Sequence, residues 1–292
     1  MIGQFIVNGL EAGAAYGLVA LGFGLIYRVC GFFNFAHGAV YTVAAYLAYT
    51  FIHICGCSPW IGIPTAIIVA MGLGAATESV IYGPMRRWGA SSLTLLICSL
   101  GILVAIQNGI SMIFGDDTKR LRSTDVYQSV VIFGAHITSI QLIIIGTSIL
   151  LCVSIAFWMR LTSFGKMARA IASDADLATV VGVNSQRMIV IIFALGSALA
   201  AVASILLGYD TDLTPAIGFN ALLMAVVAVI VGGIGSVRGS FLGGLLVGLA
   251  QHLGVWKLPT QWQNAVVFVV LIVFLIIRPE GFFGRPLKRA QI

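Results

Sequence analysis

Residues 231–244 read VGGIGSVRGSFLGG, six glycines in fourteen positions with a single arginine among them. Glycine-rich stretches cradle phosphates when they join a strand to a soluble helix and close on Gly-x-Gly-x-x-Gly or Gly-Lys-Ser/Thr. Here Arg238 stands where the third glycine after Gly233 and Gly235 would fall, and no Gly-Lys-Ser/Thr occurs. Both flanks, FNALLMAVVAVIV (219–231) and LLVGLAQHLGVW (245–256), are apolar, so a nucleotide cradle is rejected. Ser236 and His252 are the residue types of acyl-transfer chemistry. They lie sixteen positions apart across a hairpin, and such a pair is defined by geometry rather than by residue type. His53, Cys55 and Cys57 supply three ligand types where a metal site needs about four, so loop packing is the plainer reading. The five cysteines are odd in number and scattered, which argues against a disulfide framework. No cofactor and no metal are called for.

A second group consists of polar residues embedded in apolar runs. Asn8, Glu11, Glu78, Gln107 and Asn108 lie inside such runs, Asn34 and His37 lie at a reversal between two of them, and Gln251 and His252 lie in a late one. A polar side chain in lipid is costly and needs a reason. Hydrogen bonding between helices is one reason; lining a path for a polar solute is the other. As path candidates we take Asn8, Glu11, Asn34, His37, Gln107 and Asn108. Glu78, four residues after Gly74, falls on a ridge of small residues and is expected to face other helices. The acids and bases are too few for a proton relay, which counts against an ion-coupled pump.

The elements that position these residues follow from composition. Of 292 residues 60% are hydrophobic and 9% charged, and the mean hydropathy is +1.05. Soluble domains carry about 25% charged residues. Apolar runs of about 20 residues recur, the length of a membrane-spanning helix. Backbone groups in lipid must be paired within their own segment, so these runs are helical, and the short alternating segments of a β-barrel do not occur. The expectation is an all-α polytopic bundle forming one transmembrane domain over 1–292, with nine spans near 5–27, 36–53, 60–82, 92–114, 139–160, 188–208, 219–234, 240–256 and 263–279. Small residues spaced by four recur at Gly9, Gly13 and Gly17, at Gly62, Ala66, Ala70 and Gly74, and at Gly235, Gly239 and Gly243. Lipid gives helices little hydrophobic reason to associate, so such ridges let backbones approach. Gly232, Gly233 and Gly235 fall where a span ends and the chain turns back. LIYRVCGFFNFAHG (25–38) is a similar reversal in the first half. Paired glycine-broken hairpins at corresponding places point to a transport pathway.

With the N-terminus outside, Arg28, Arg86, Arg87, Arg160, Lys166, Arg169, Arg187, Arg238, Arg278, Arg285, Lys288 and Arg289 fall on the cytoplasmic side. That is twelve of the sixteen basic residues, as the positive-inside rule requires. The net charge of +6 then needs no nucleic-acid partner. With no basic residue before Arg28, the first span reads as retained rather than as a cleavable signal. The inner connection 161–187 holds a helical run suited either to receive a push from a soluble partner or to rest on lipid headgroups.

Four motifs in order then identify a resemblance: NFAHGAVYTVAAYLAY (34–49), SLGILVAIQNGISMIFGDD (99–117), VIVGGIGSVRGSFLGG (229–244) and RPEGFFGR (278–285). Nearly end to end, the chain resembles the LivH-type permease subunits of bacterial branched-chain amino-acid ABC importers. Ala39 departs from that family, which commonly has a glutamate there. DLATVVG (176–182) is similar to the permease loop that docks on the ATPase, which implies a coupling role for Asp176, Ala178 and Gly182. Ala178 and Gly182 are small and one turn apart, so a partner's groove is expected to approach both. The resemblance implies ABC ATPase subunits inside, a soluble substrate-binding protein outside, a second related permease subunit, and an inner-membrane location in contact with lipid. ATP hydrolysis belongs on the separate subunit, so this chain is not itself an enzyme. The alternatives are an ion-coupled transporter or channel for a small polar solute, or an ABC permease for urea or amides. An intramembrane serine hydrolase is more remote. A cytoplasm-only reporter fused after Ile292 is expected to be active and one placed near Asp117 inactive. The reverse pattern would overturn the orientation.

Overall fold

The computed structural model describes residues 2–122, 129–132, 135–256, 259–278 and 280–284. The chain forms α1 (Ile2–Cys30), α2 (Ala36–Tyr49) prolonged by a π-turn Thr50–Ile54, and α3 (Pro59–Ala76), which runs through a second π-turn, Thr77–Tyr82, into α4 (Gly83–Arg87). Next come α5 (Ser92–Phe114), the hairpin strands β1 (Ser129–Ile132) and β2 (Ala135–Thr138), α6 (Ser139–Leu161), α7 (Ser163–Ser173) and α8 (Ala175–Val180). The chain continues through α9 (Ser185–Asp210), α10 (Ile217–Gly232), α11 (Val237–Gly254), a 3-10 turn Thr260–Trp262 and α12 (Gln263–Ile277). The class is all-α as expected, apart from the one antiparallel hairpin.

The span count needs correction. Each of the nine expected segments is helical, but among the described residues six helices are long and apolar enough to cross a membrane, or seven with one bent pair. The bent pair is α10 and α11, inclined by 119° across Gly233–Ser236. The other shortfall is α2. Its fourteen α-helical residues reach about 21 Å at 1.5 Å per residue, and the π-turn Thr50–Ile54 carries the helix on at its far end, so what sets α2 apart is a start inside the bundle, with His37 and Thr42 buried near that start. Hydropathy registers that a segment is apolar; it does not register that the segment starts partway into the bundle.

Helix α1 is the centre, 83% of its apolar window being buried, whereas α12 lies at the periphery with 6% buried. Glycines set its crossings. A Cβ on Gly13 would lie 2.8 Å from Leu245 Cα, and one on Gly9 would lie 3.0 Å from Leu249 Cα, so α11 lies backbone-to-backbone along α1. A Cβ on Gly22 would meet Gly196 O at 2.7 Å, which fixes α9 on another side. In α3 the buried residues are Gly62, Ala66, Ala70 and Gly74, the ridge read from the sequence. Gly74 sits against Ser197 and Phe193 of α9.

Helices α2 and α10 begin inside the bundle. The Gly218 N–H donates to Thr42 Oγ1 at 3.1 Å, and Thr42 Oγ1 donates to Gly38 O at 3.2 Å. The first turn of α10 is thus pinned to α2, with Gly38 and Gly218 in backbone contact. The Phe35 N–H, just before α2, donates to Ser99 Oγ of α5 at 3.0 Å. Side chains of neighbouring helices thereby satisfy backbone groups that lipid could not.

The elbow between α10 and α11 depends on two kinds of glycine. Gly233 and Gly235 have φ of +103° and +82°, a region glycine enters without a Cβ clash. Gly232, Gly239 and Gly243 instead permit contact: a Cβ on Gly239 would overlap Gly232 O, and one on Gly243 would overlap Ala228 O. Replacing Gly239 by Leu is expected to cost about 1–3 kcal/mol or more through overpacking, read as loss of folded protein in fluorescence-detected size exclusion. Gly101→Leu, on an open face of α5 with nothing within 4 Å, serves as control and is expected to behave as wild type. Equal behaviour of the two variants would remove the packing role of Gly239.

Candidate functional site

The described ends of the chain lie at opposite ends of the bundle. Phe282 N–H donates to Val231 O and Phe283 N–H to Gly232 O, placing the final segment beside the α10–α11 elbow. Arg28 lies there too, its Cγ 3.5 Å from where a Gly235 Cβ would be. The two glycine-bearing reversals therefore adjoin one another. At the other end, the Gln4 side-chain amide donates to His136 O at 3.1 Å, and Lys119 exchanges backbone hydrogen bonds with Leu213. Arg120 pairs with Asp212 at 3.1 Å, and a His53 ring nitrogen faces Leu121 O at 2.8 Å.

The path candidates divide into separate groups. Asn8 and Glu11 are together in the half of α1 near its N-terminus. Gln141 Nε2 donates to Glu11 Oε2 at 2.7 Å and lies 3.5 Å from Asn8 Oδ1, and Gln4 Nε2 donates to Asn8 Oδ1 at 3.1 Å. The Asp210 carboxyl at the end of α9 faces Glu11. This network joins α1, α6 and α9. Its key member, Gln141, was not singled out from the sequence. The available signal was the Thr-x-x-Gln spacing of a capping box: Thr138 Oγ1 accepts from Gln141 N, and Gln141 Oε1 accepts from Thr138 N. The cap holds Gln141 so that its amide reaches Glu11.

Asn34 and Glu78 lie toward the opposite end. The Tyr82 hydroxyl donates to Asn34 Oδ1 at 2.9 Å, which ties the first reversal to the π-turn after α3. Glu78, wholly buried, forms an ion pair with Arg86, and Gln186 Nε2 donates to the same carboxylate at 3.4 Å. The Arg86 guanidinium also reaches Cys30 Sγ at 3.5 Å. Four parts of the chain meet here: the end of α1, the π-turn, α4 and the start of α9. His37, 1% exposed, stands apart from both networks, edge-on to Phe23 with ring centroids 6.2 Å apart.

Gln107 and Asn108 join neither network. They lie on α5, where Gln107 is half-buried and Asn108 exposed. The Asn108 side-chain amide donates back to Val104 O of its own helix at 2.8 Å. Ser236 caps α11 by accepting from Gly239 N, while His252 sits near the far end of the same helix. Sixteen residues of helix place them about 24 Å apart, so they form no Ser–His pair.

In the connection 161–187, Asp174 caps α8 by accepting from Asp176 N and Leu177 N, and Asp176 is exposed in the first turn of that helix. The shared approach expected for Ala178 and Gly182 is corrected by the geometry. Ala178 is turned inward at 5% exposure. Gly182 is exposed, at a φ of +91°. Three apolar side chains beside them face outward: Leu177 at 64%, Val180 at 84% and Val181 at 83%.

A bundle with short helices starting in its interior, polar networks joining helices, and an arginine-rich end is the architecture of a membrane permease. Residues 5–275 match the family described as "Branched-chain amino acid transport system / permease component", and the chain belongs to that family. It is 35% identical to the high-affinity branched-chain amino acid transport system permease protein LivH of Escherichia coli (strain K12), covering 97% of this chain and 96% of that protein. It is 34% identical to the permease protein BraD of Pseudomonas aeruginosa, again over 97% and 96%. Among solved structures, PsaBC from Streptococcus pneumoniae in complex with Fab shares the fold at a TM-score of 0.52 and 16% identity, over 96% of this chain and 94% of that one.

The Glu78–Arg86 pair carries a prediction. Removing one partner of a buried pair leaves an uncompensated charge and costs about 3–5 kcal/mol. Arg86→Ala is expected to lower the thermal midpoint of the detergent-purified protein sharply, and the Glu78→Gln/Arg86→Met double variant to recover much of the loss. An unchanged midpoint for Arg86→Ala would show that the pair does not fasten the first reversal to the π-turn and α9.

Proposed function

We propose that this chain is the membrane-spanning permease subunit of an ATP-driven importer and forms part of the path for branched-chain or similar small amino acids. The family match across 5–275, together with identity to LivH over nearly the whole length, is the observation that carries the reading. A separate ATPase supplies the energy, a soluble binding protein delivers the solute, and a second permease subunit completes the path. The N-terminus lies outside and the C-terminus in the cytoplasm. The gathering of Arg28, Arg160, Arg169 and Arg238 around one cavity at a single end supports that orientation, because cytoplasmic ends are enriched in Lys and Arg.

Asn108 supports a path, or a subunit seam, along α5. An amide exposed on a membrane helix is disfavoured against lipid, so the face of α5 that bears Asn108 is better matched to a polar path or to the second permease. Glu11 and Asn8 serve the outer half of the bundle. Asn34 and Glu78 act as ties that hold the first reversal against the π-turn and α9, and His37 stands between these layers.

Coupling runs through the connection 161–187. Hydrolysis on another subunit moves this chain only through contacts that differ between its conformations. Leu177, Val180 and Val181 form an apolar projection outside the spans, the type of surface a partner's groove covers. Gly182 is kept for its positive φ, so a bulky residue there would strain the backbone whether or not a partner binds. Leu177→Asp/Val181→Asp is the cleaner test, because both side chains are exposed. Expected is insertion and folding as wild type, with loss of ATPase co-purification and at least a tenfold fall in substrate-stimulated hydrolysis. Full retention and stimulation would remove coupling from this loop. If transport persists in cells lacking any cognate ATPase, the ion-coupled or channel alternative replaces the importer.

A further inference from the structure

Two cavities meet at Arg160 and Arg238. One, of about 920 Å³, opens at the arginine-rich end and is lined by Arg28, Arg160, Arg169 and Arg238, with Glu280 the one acid among its described lining residues. The other, of about 350 Å³, lies between α6 and α11 and is apolar, walled by Cys152, Val153, Phe157, Phe241 and Leu242. Arg160, Arg238 and Ala156 line both, so an apolar groove leads directly into a basic chamber.

The two halves call for different chemistry. Val153, Phe157 and Leu242 are 47%, 61% and 45% exposed, on helices that cross or bend within the membrane. In a bilayer such a groove is filled by hydrocarbon. At its mouth, neither Arg160 nor Arg238 forms an ion pair with any described residue. The Arg169 guanidinium donates to Met159 O, the last turn of α6, and so stays in the chamber wall. Among the described lining residues four guanidinium groups face one carboxylate, a net positive wall. Guanidinium forks match phosphate oxygens in pairs. Basic pockets between membrane helices at the cytoplasmic side bind anionic headgroups.

We propose that α6 and α11 hold one anionic phospholipid. An acyl chain occupies the groove beside Val153 and Leu242. The phosphate lies between Arg160 and Arg238, and the rest of the headgroup extends toward Arg28 and Arg169. The lipid completes the packing between α6 and α11 just below the α10–α11 elbow, where protein side chains leave a gap. This inference is independent of the transported solute and rests on the cytoplasmic placement of the arginine-rich end.

Native mass spectrometry of the full-length chain, purified in detergent with the subunits that accompany it, tests the proposal. Phosphatidylglycerol and phosphatidylcholine are titrated separately, and inorganic phosphate is added in competition. Expected is one retained phosphatidylglycerol, preferred at least tenfold over phosphatidylcholine and not displaced by millimolar phosphate. Arg160→Ala/Arg238→Ala is expected to lower retention at least tenfold and the paired lysine variants to keep most of it. Val153→Trp, which fills the groove, is expected to abolish retention. Equal retention of phosphatidylcholine would overturn the proposal. So would full displacement by phosphate, which marks a free-anion site, or wild-type retention in Val153→Trp. If the arginine variants fail to assemble, the two-lipid comparison and the phosphate competition on the wild-type protein still decide.

Discussion

The absence of side chains where α1 is crossed governs the rest of this structure. Gly9, Gly13 and Gly17 lie against the backbone or Phe241 ring of α11, Gly22 lies against Gly196 of α9, and Gly24 lies against Ser240. Hydrophobic burial supplies little association energy inside a bilayer, so helices gain by close van der Waals contact. The contact is reciprocal, because Gly244 and Gly248 of α11 meet the same glycines of α1. With α9 and α11 clamped to one central helix, the positions of α10, α2 and α6 follow from short connections and a few hydrogen bonds.

That clamp permits the irregular parts. A helix that begins within a membrane protein leaves several N–H groups without helical partners, and lipid supplies none. The interior starts of α2 and α10 are tolerated because Ser99 and Thr42 accept from Phe35 and Gly218. The close contact of Gly38 with Gly218 holds the two starts together. The helices with interior starts thus depend on the full-length ones. A transport cycle is more readily accommodated by shifts of such helices than by movement of α1, which is fixed on several sides.

The polar residues have sorted themselves by end. Near the N-terminus of α1, amides and carboxyls form a hydrogen-bonded layer over α1, α6 and α9. Near its C-terminus, one ion pair and one tyrosine–asparagine bond join the first reversal to the π-turn and to α9. The basic chamber lies just beyond, at the elbow. Among the described residues no side-chain hydrogen bond joins the two layers. Of the amides outside them, Asn108 of α5 bonds within its own helix and Gln251 of α11 bonds to Asn264 of α12, so these layers act as separate fastenings rather than as one continuous relay.

Much of this was legible in the order of residues. Composition determined an all-helical membrane bundle. The run 92–114 coincides with α5, and the ridge of Gly62, Ala66, Ala70 and Gly74 is the buried face of α3. These are local properties: an apolar length and a four-residue spacing are complete within the segment that shows them. Glu78 facing inward followed from the same spacing. Its partner Arg86 did not, because Glu78 sits in a π-turn that shifts the helical register before Arg86. Gln141, Tyr82 and Ser99 gained their ties to other helices through neighbours more than forty positions away. Ala178 turned inward because α8 packs on elements its own residues do not specify. Tertiary structure also decided that nine apolar helices do not make nine full spans. Hydropathy measures transfer out of water, which is the same for a helix that crosses the membrane and for one that starts halfway into it, walled by protein.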